Sequence, residues 1–91
     1  MPEVRFTVRW PDGTEETCYS PSTAIARHLE AGARYQLADF LARARAGLRE
    51  GSRRVEAKYG FACSSALDQL ARIEARAARF DRGDVLCLSL S

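Results

Sequence analysis

The sequence predicts an α+β domain of two layers, in which a three-stranded sheet packs on a long antiparallel helix hairpin. Residues 3–10 and 85–90 are rich in β-branched and large apolar side chains, as strands are. Residues 37–59 and 67–80 repeat apolar side chains every three or four positions, the spacing of an amphipathic helix. With 91 residues and no linker or low-complexity segment, we expect one domain over residues 1–91.

The N-terminal segment predicts a β-hairpin. Its apolar side chains alternate with polar ones, which indicates a half-buried strand; they are Val4, Phe6, Val8 and Trp10. Residues 11–13, Pro-Asp-Gly, have the composition of a tight turn. Residues 14–19 are polar and return as an edge strand. Across this turn Phe6 should lie near Cys18, which we interpret as a small buried hydrophobe.

A short helix is predicted next, with Ser20 as its N-cap and Pro21 at its first position, ending near Gly32. The last strand, residues 85–90, is apolar on both faces over most of its length, which does not suit an edge beside water. We therefore place it next to the first strand, opposite the polar second strand. The predicted element order is β-β-α-α-α-β and the strand order is 2-1-3.

A corner joins the two long helices at residues 58–70. Tyr59 ends the first helix, and Gly60 suits the position after it because glycine adopts positive φ without a Cβ clash. Phe61 should then pack back on the last helical turn. A helix end and a helix start this close together predict an antiparallel pair.

The start of the second long helix is marked by oxygen-bearing side chains. Ser64 and Ser65 can each cap free backbone amides, and Ser65 with Asp68 fits the capping-box pattern. Asp68 would place a carboxylate in the first turn, where the helix dipole favours it. Within the first long helix, Gly47 and Gly51 each cost up to about 1 kcal/mol relative to alanine. They predict the close approach of another element, with simple loosening of the helix as the alternative.

Composition bounds the possible partners and cofactors. Lysine and arginine number 14 against 12 aspartates and glutamates, a balance that favours neither a nucleic-acid nor a membrane partner. Apolar runs are too short to span a bilayer and no signal-peptide pattern opens the sequence, so we expect a cytoplasmic protein. Three cysteines without a C-x-x-C pair, and one histidine, predict no disulfide framework, no metal site and no cofactor.

Two side chains are weighed for catalysis. Cys63 is the one candidate nucleophile, because it precedes a helix N-terminus, where the dipole can lower the pKa of a thiol. No histidine lies close in sequence to activate it, so we favour a structural role over an enzymatic one. His28 has no partner that the sequence identifies, and a structural histidine is again favoured.

The arginine-rich faces of the helices suggest an alternative function, nucleic-acid binding. The candidate contacts are Arg43, Arg49, Arg53 and Arg54. Interspersed glutamates and the lack of interleaved aromatic residues favour solvated helix faces instead. Arg53 and Arg54 are also candidates for contact with a protein partner.

The last strand predicts association. Val85 and Cys87 lie on one side of it and alternating leucines on the other, yet helices on one face of a sheet cover only one of these sets. We expect Val85 and Cys87, with Tyr19 beside them, to form an exposed patch that contacts a second copy or a partner. In the alternative interpretation, the stems of Arg5 and Arg9 cover the two residues.

Several segments stand in an order that resembles the small bacterial nitrogen starvation response protein family. They are Arg9-Trp10-Pro11-Asp12-Gly13, Cys18-Tyr19-Ser20-Pro21-Ser22, Leu37-Ala38-Asp39-Phe40-Leu41, Lys58-Tyr59-Gly60-Phe61-Ala62-Cys63-Ser64 and Asp68-Gln69-Leu70-Ala71-Arg72-Ile73-Glu74. The resemblance implies gene clusters that also encode a nitrilase, a radical-SAM protein, an acetyltransferase and a flavin-dependent oxidoreductase. It implies a role in nitrile or cyanide nitrogen assimilation, and no catalytic residue.

The leading functional hypothesis is therefore a small accessory or interaction protein that works beside nitrogen-assimilation enzymes. It depends on the resemblance and on the lack of a catalytic constellation in the sequence. The alternatives are a nucleic-acid-binding regulator that uses the arginine-rich helices and, less favoured, an enzyme that depends on Cys63.

Overall fold

A computed structural model of the chain describes residues 3–61 and 64–91. In chain order the elements are β1 (Val4–Arg9), β2 (Glu15–Ser20), a 3₁₀-helix (Thr23–Arg27), β3 (Arg34–Gln36), α1 (Leu37–Tyr59), α2 (Ser64–Ala77) and β4 (Asp84–Leu90). Within these ranges the four strands form one antiparallel sheet in the order β2-β1-β4-β3. The α+β prediction is confirmed, and α1 and α2 share one core with the sheet.

The prediction of a three-stranded sheet is wrong, because the described ranges contain a fourth strand. β3 is three residues long and pairs with β4, so that Tyr35 lies opposite Val85. Its extended conformation depends on this pairing with a segment far along the chain, and three residues are too few for an alternating pattern to show. The order of the other strands, β2-β1-β4, is the predicted one.

The predicted first α-helix is a five-residue 3₁₀-helix instead. Its N-cap is Ser22, whose Oγ accepts a hydrogen bond from the Ala24 amide at 3.1 Å. Ser20, the predicted cap, is the last residue of β2, and its buried Oγ donates to the Ser22 carbonyl at 2.9 Å. The two serines thus join the end of the strand to the start of the helix.

The 3₁₀-helix segment packs on α1 at two glycines. A Cβ on Gly47 would lie 2.5 Å from Ile25 Cδ1 and 3.1 Å from Ile25 Cα. A Cβ on Gly51 would lie 3.3 Å from both Pro21 Cγ and Ser22 Oγ. The predicted close approach is confirmed, and the missing side chains are what allow it.

The register of β4 against β1 shifts at Leu88, an extra residue that forms a β-bulge. Val85 and Cys87, before the bulge, are fully buried in the core. Leu90, beyond it, also packs against the core, because one extra residue reverses the alternation. The predictions that Val85 and Cys87 are exposed, and that Leu90 shares a face with Leu86, are therefore wrong.

The core lies between the sheet and the helices. The predicted inward residues of the first strand segment are all buried; they are Val4, Phe6, Val8 and Trp10. Phe6 pairs with Cys18 across the hairpin, as predicted, and Cys18 is buried as well. Trp10 meets Phe40 of α1 edge to face at 5.6 Å between ring centroids and stacks on Phe80 at 6.1 Å. This aromatic cluster joins the end of β1 to the start of α1 and to the segment that follows α2.

The corner after α1 has the predicted backbone at Gly60. Its φ of 84° is left-handed, and its amide donates to the Glu56 carbonyl at 2.8 Å, which closes the helix. Phe61 packs back on the ring of Tyr59, the last residue of α1, in the way predicted, but its side chain is still 66% exposed.

The second helix begins earlier than the capping-box pattern indicates. α2 starts at Ser64, so Ser65 lies inside the helix and not at its N-cap. Asp68 is consequently beyond the first turn, which contains no acidic residue. Residues 62 and 63, where a cap would stand, lie outside the described residues.

We expect Gly60→Val to lower the free energy of unfolding by about 1–3 kcal/mol, since a β-branched residue is strained at positive φ. No atom of the described residues lies within 4 Å of a Cβ built there, so strain is the cause that we expect. Urea unfolding measures the change. Gly60→Asn is the control, because asparagine tolerates this conformation. Equal stability of the two variants would contradict the prediction.

Candidate interaction surfaces

In the described part of the chain, the exposed large hydrophobic side chains lie at the end of α1, directly after it, and near the start of α2. Tyr59 is 52% exposed, Phe61 66% and Leu67 46%. We call these three residues the hairpin tip. Single exposed apolar residues are ordinary, whereas a contiguous group marks an interaction surface in soluble proteins.

The hairpin tip is exposed because the end of α1 extends beyond the part of the helix that packs on the core. Ser52 is the last buried residue of α1, and residues 53–59 are half-buried or exposed. The ring centroids of Tyr59 and Phe61 lie 6.4 Å apart, and the Lys58 ammonium is 5.5 Å from the centre of the Tyr59 ring. The two rings and the cation therefore form one amphipathic group.

Leu67 shows what helical periodicity misses. It belongs to the apolar stripe predicted for α2, whose later members Leu70, Ile73 and Ala77 are buried. Leu67 lies on the same apolar face of α2 but does not reach the core, and its side chain is exposed. The spacing identifies which face of a helix is apolar, and only the packing of other elements decides how much of that face is covered.

The projecting end of α1 also carries positive charge. Arg53 is exposed, and the Arg54 guanidinium lies 3.9 Å from the Glu50 carboxylate, a loose pair that leaves part of its charge available. Together with Lys58, these side chains put cations on the helix that ends in exposed aromatic residues. The two arginines selected from the sequence as contact candidates thus lie in the same exposed end of α1 as Tyr59.

The open face of the sheet offers fewer apolar groups. Leu86 is half-buried between its cross-strand partners, Arg9 of β1 and Arg34 of β3. Tyr19 is half-buried on the edge strand β2, and its amide donates to Gln69 Oε1 of α2 at 3.1 Å. Arginine side chains therefore flank Leu86. The sequence had suggested that they cover Val85 and Cys87.

Self-association through the open sheet face stays a prediction. Because Val85 and Cys87 are buried, we expect Leu86 to make the contact with the second copy. We expect light scattering to give the mass of a dimer for the native protein and of a monomer for Leu86→Lys, because an interface desolvates the new charge. Ala42→Lys, on an exposed position of α1, is the matched control. A native protein that stays monomeric at high concentration would contradict the prediction.

The described cysteines have the environment of structural thiols. Burial raises the pKa of both Cys18 and Cys87, that of Cys18 to about 12. Such thiols stay protonated near neutral pH and are poor nucleophiles. Cys63, the candidate nucleophile, lies outside the described residues.

His28 has a partner that sequence reasoning missed. Its Nε2 lies 3.1 Å from Glu50 Oε2, and the hydrogen bond lowers the pKa of Glu50. Arg27 reaches the other oxygen of the same carboxylate at 3.3 Å. Glu50 thereby fastens the end of the 3₁₀-helix to α1. A separation of 22 positions along the chain hides this contact from sequence reasoning.

The arginines of the alternative nucleic-acid function do not form an uninterrupted basic surface. Arg43 pairs with Asp39 at 3.0 Å, and Arg54 lies near Glu50. Arg49 and Arg53 are exposed. Carboxylates placed among the guanidinium groups lower the positive potential that a phosphate backbone would meet.

Residues 3–61 and 64–91 contain no group of three or more histidine, cysteine, aspartate or glutamate residues that could hold a metal ion. Neither α1 nor α2 combines the length and the apolar character that a membrane-spanning helix needs.

Comparison with known proteins gives one finding. Residues 5–90 match the family model described as nitrogen starvation-induced protein NitG. No curated protein and no solved structure matches the chain. The matched range covers the whole sheet apart from the first residue of β1, and it covers both helices as well. The chain therefore belongs to the NitG family of nitrogen starvation-induced proteins.

Proposed function

We propose that this protein acts in the nitrogen starvation response as an accessory protein that binds another protein through the hairpin tip. The observation that carries the proposal is the exposed ring pair of Tyr59 and Phe61 at the end of α1, followed by the exposed Leu67 near the start of α2. Aromatic residues at an exposed position supply most of the contact energy when a partner covers them. Exposed hydrophobic side chains are unfavourable for a monomer in water, whereas a protein complex buries them.

The charges beside the hairpin tip define the chemistry of the partner. Arg53 and Lys58 lie on the same helix end as the exposed rings, and neither is within 4.0 Å of a carboxylate in the described residues. A complementary surface has an apolar pocket for Phe61 and Tyr59 with carboxylates at its rim. Rim charges of this kind mainly speed association and select among partners.

The proposed partners are nitrogen-assimilation enzymes, including those that act on nitriles. One finding and one implication of the resemblance support this choice. Membership of a nitrogen starvation-induced family ties the protein to that condition. The resemblance to small nitrogen starvation response proteins implies gene clusters that encode a nitrilase and other enzymes.

The test is capture from nitrogen-starved cells with matched baits. The native protein should retain a nitrogen-assimilation enzyme, and Phe61→Lys should lose it, because a lysine cannot fill an apolar pocket without leaving its charge unpaired. Ala42→Lys adds the same side chain at an exposed position of α1 away from the hairpin tip and should capture as the native protein does.

Binding of the recovered enzyme is then measured with purified components. A loss of tenfold or more in affinity for Phe61→Lys, about 1.4 kcal/mol, is the expected result. Equal capture by all three baits would place the contact elsewhere. Turnover of a nitrile or amide by the purified protein, with no enzyme captured, would overturn the proposal in favour of an enzymatic function.

A further inference from the structure

A cleft of about 570 Å³ opens between the start of α1, the end of α2 and the turn that leads into β4. Its apolar lining combines the nearly buried Leu37 and Ala77 with the half-buried Leu41 and Phe80. Small-molecule sites in proteins usually occupy about 300–1,000 Å³ and have mostly apolar walls with a few polar groups. This cleft meets both conditions and lies on a different part of the fold from the hairpin tip.

The charged groups of the cleft fall into two sets. At one end Arg45 Nη2 lies 3.1 Å from Glu74 Oε2, so the two side chains satisfy each other. At the other end Asp81 and Arg82 lie on the turn after α2 and Asp84 is the first residue of β4; all three are exposed to solvent. None of these three takes part in an ion pair with another described residue. Only this second set is available to the charges of a ligand.

The backbone holds the turn in place beside the floor of the cleft. The Leu37 amide donates to the Gly83 carbonyl at 3.0 Å, and Gln36 pairs with Asp84 across β3 and β4. Phe80 is held from behind by its stacking on Trp10. The charged turn and the apolar floor therefore keep a fixed relation to each other, which lowers the entropic cost of binding.

We propose that the cleft binds a small zwitterion with an apolar side chain, of the chemical class of the apolar amino acids. Charges of both signs lie together on the turn and at the start of β4, so an ammonium group meets Asp81 and Asp84 while the carboxylate meets Arg82. The apolar side chain then covers Leu41 and the free part of Phe80. The cleft is open to solvent and its charges are exposed, so the expected dissociation constant is millimolar.

The probe is L-leucine, followed by amide chemical shifts of the purified protein. We expect saturable shifts for residues 36–41 and 77–84. Arg82→Gln should weaken binding at least about threefold, the change that a lost exposed charge contact produces. Arg53→Gln, which removes the same charge beside the hairpin tip, should bind as the native protein does. Both positions are exposed, so neither variant is expected to unfold the protein.

Two analogues separate the zwitterion from simpler ligands. Isoamylamine keeps the apolar body and the cation, and N-acetyl-leucine keeps the apolar body and the anion. Each should bind at least about threefold more weakly than leucine. The proposal is overturned if leucine shifts no amide signal of the cleft. It is also overturned if either analogue binds the native protein as tightly as leucine does, or if Arg82→Gln binds leucine as tightly as the native protein does. None of these results bears on the proposal that a partner binds the hairpin tip.

Discussion

Replacing Trp10 by alanine is expected to lower the free energy of unfolding by about 3–5 kcal/mol, the usual range for a large aromatic residue removed from a core. The side chain is 1% exposed and touches the rings of Phe40 and Phe80. Its indole N–H donates to Glu16 Oε1 at 3.0 Å. Truncation thus leaves a cavity between the sheet and both helices and removes the donor from a half-buried carboxylate.

The size of this effect matters because small domains are only marginally stable, by about 5–15 kcal/mol. Urea unfolding of the native protein and of Trp10→Ala, followed by circular dichroism, measures the change. Trp10→Phe is the matched control, since it keeps an aromatic ring but loses the hydrogen bond to Glu16. We expect it to cost less than half as much as alanine. A loss under about 1 kcal/mol for alanine would show that the aromatic cluster is not the centre of the core.

The position of Trp10 illustrates which parts of the fold a sequence reveals. Alternation along β1 identifies Phe6 and Trp10 as inward-facing, because the period of a strand is two and local geometry alone enforces it. Gly60 is identified for a similar reason. Its left-handed backbone imposes a requirement on the residue itself, which glycine meets.

Features that depend on distant segments could not be predicted in this way. β3 is extended because it pairs with β4, and its three residues carry no pattern of their own. The bulge at Leu88 reverses the faces of β4, and alternation read without it assigns Val85 and Cys87 to the wrong side. A run of apolar residues does not indicate at which position a β-bulge adds one extra residue to the strand.

The two proposed sites differ in how far the sequence could reveal them. The hairpin tip is local, and its aromatic residues are visible in the corner motif; what the motif could not show is that Phe61 stays exposed. The cleft joins residues near 37–45 to residues near 74–84, and only the antiparallel packing of α1 on α2 brings these together. The ion pair between Arg45 and Glu74, 29 positions apart, is the clearest sign of that packing.

Gly47→Val is expected to lower the free energy of unfolding by about 3 kcal/mol, the upper end of the usual penalty for overpacking. A Cβ at this position would lie 2.5 Å from Ile25 Cδ1, which can rotate away, and 3.1 Å from Ile25 Cα, which cannot. It would also approach His28 Cδ2 at 3.3 Å. The 3₁₀-helix must therefore move away from α1, and the contact between His28 and Glu50 is strained along with it.

Two further variants isolate this cause by urea unfolding. Ala46→Val introduces the same residue at the exposed neighbouring position and should cost only the difference in helix propensity, about 0.5 kcal/mol. Gly51→Ala meets its nearest neighbours at 3.3 Å, a smaller overlap that the gain in helix propensity, up to about 1 kcal/mol, can offset. A stability order in which Gly47→Val loses no more than Ala46→Val would mean that the 3₁₀-helix does not lie against α1 at Gly47. The glycines would then loosen the helix without serving its packing, which is the alternative that the sequence left open.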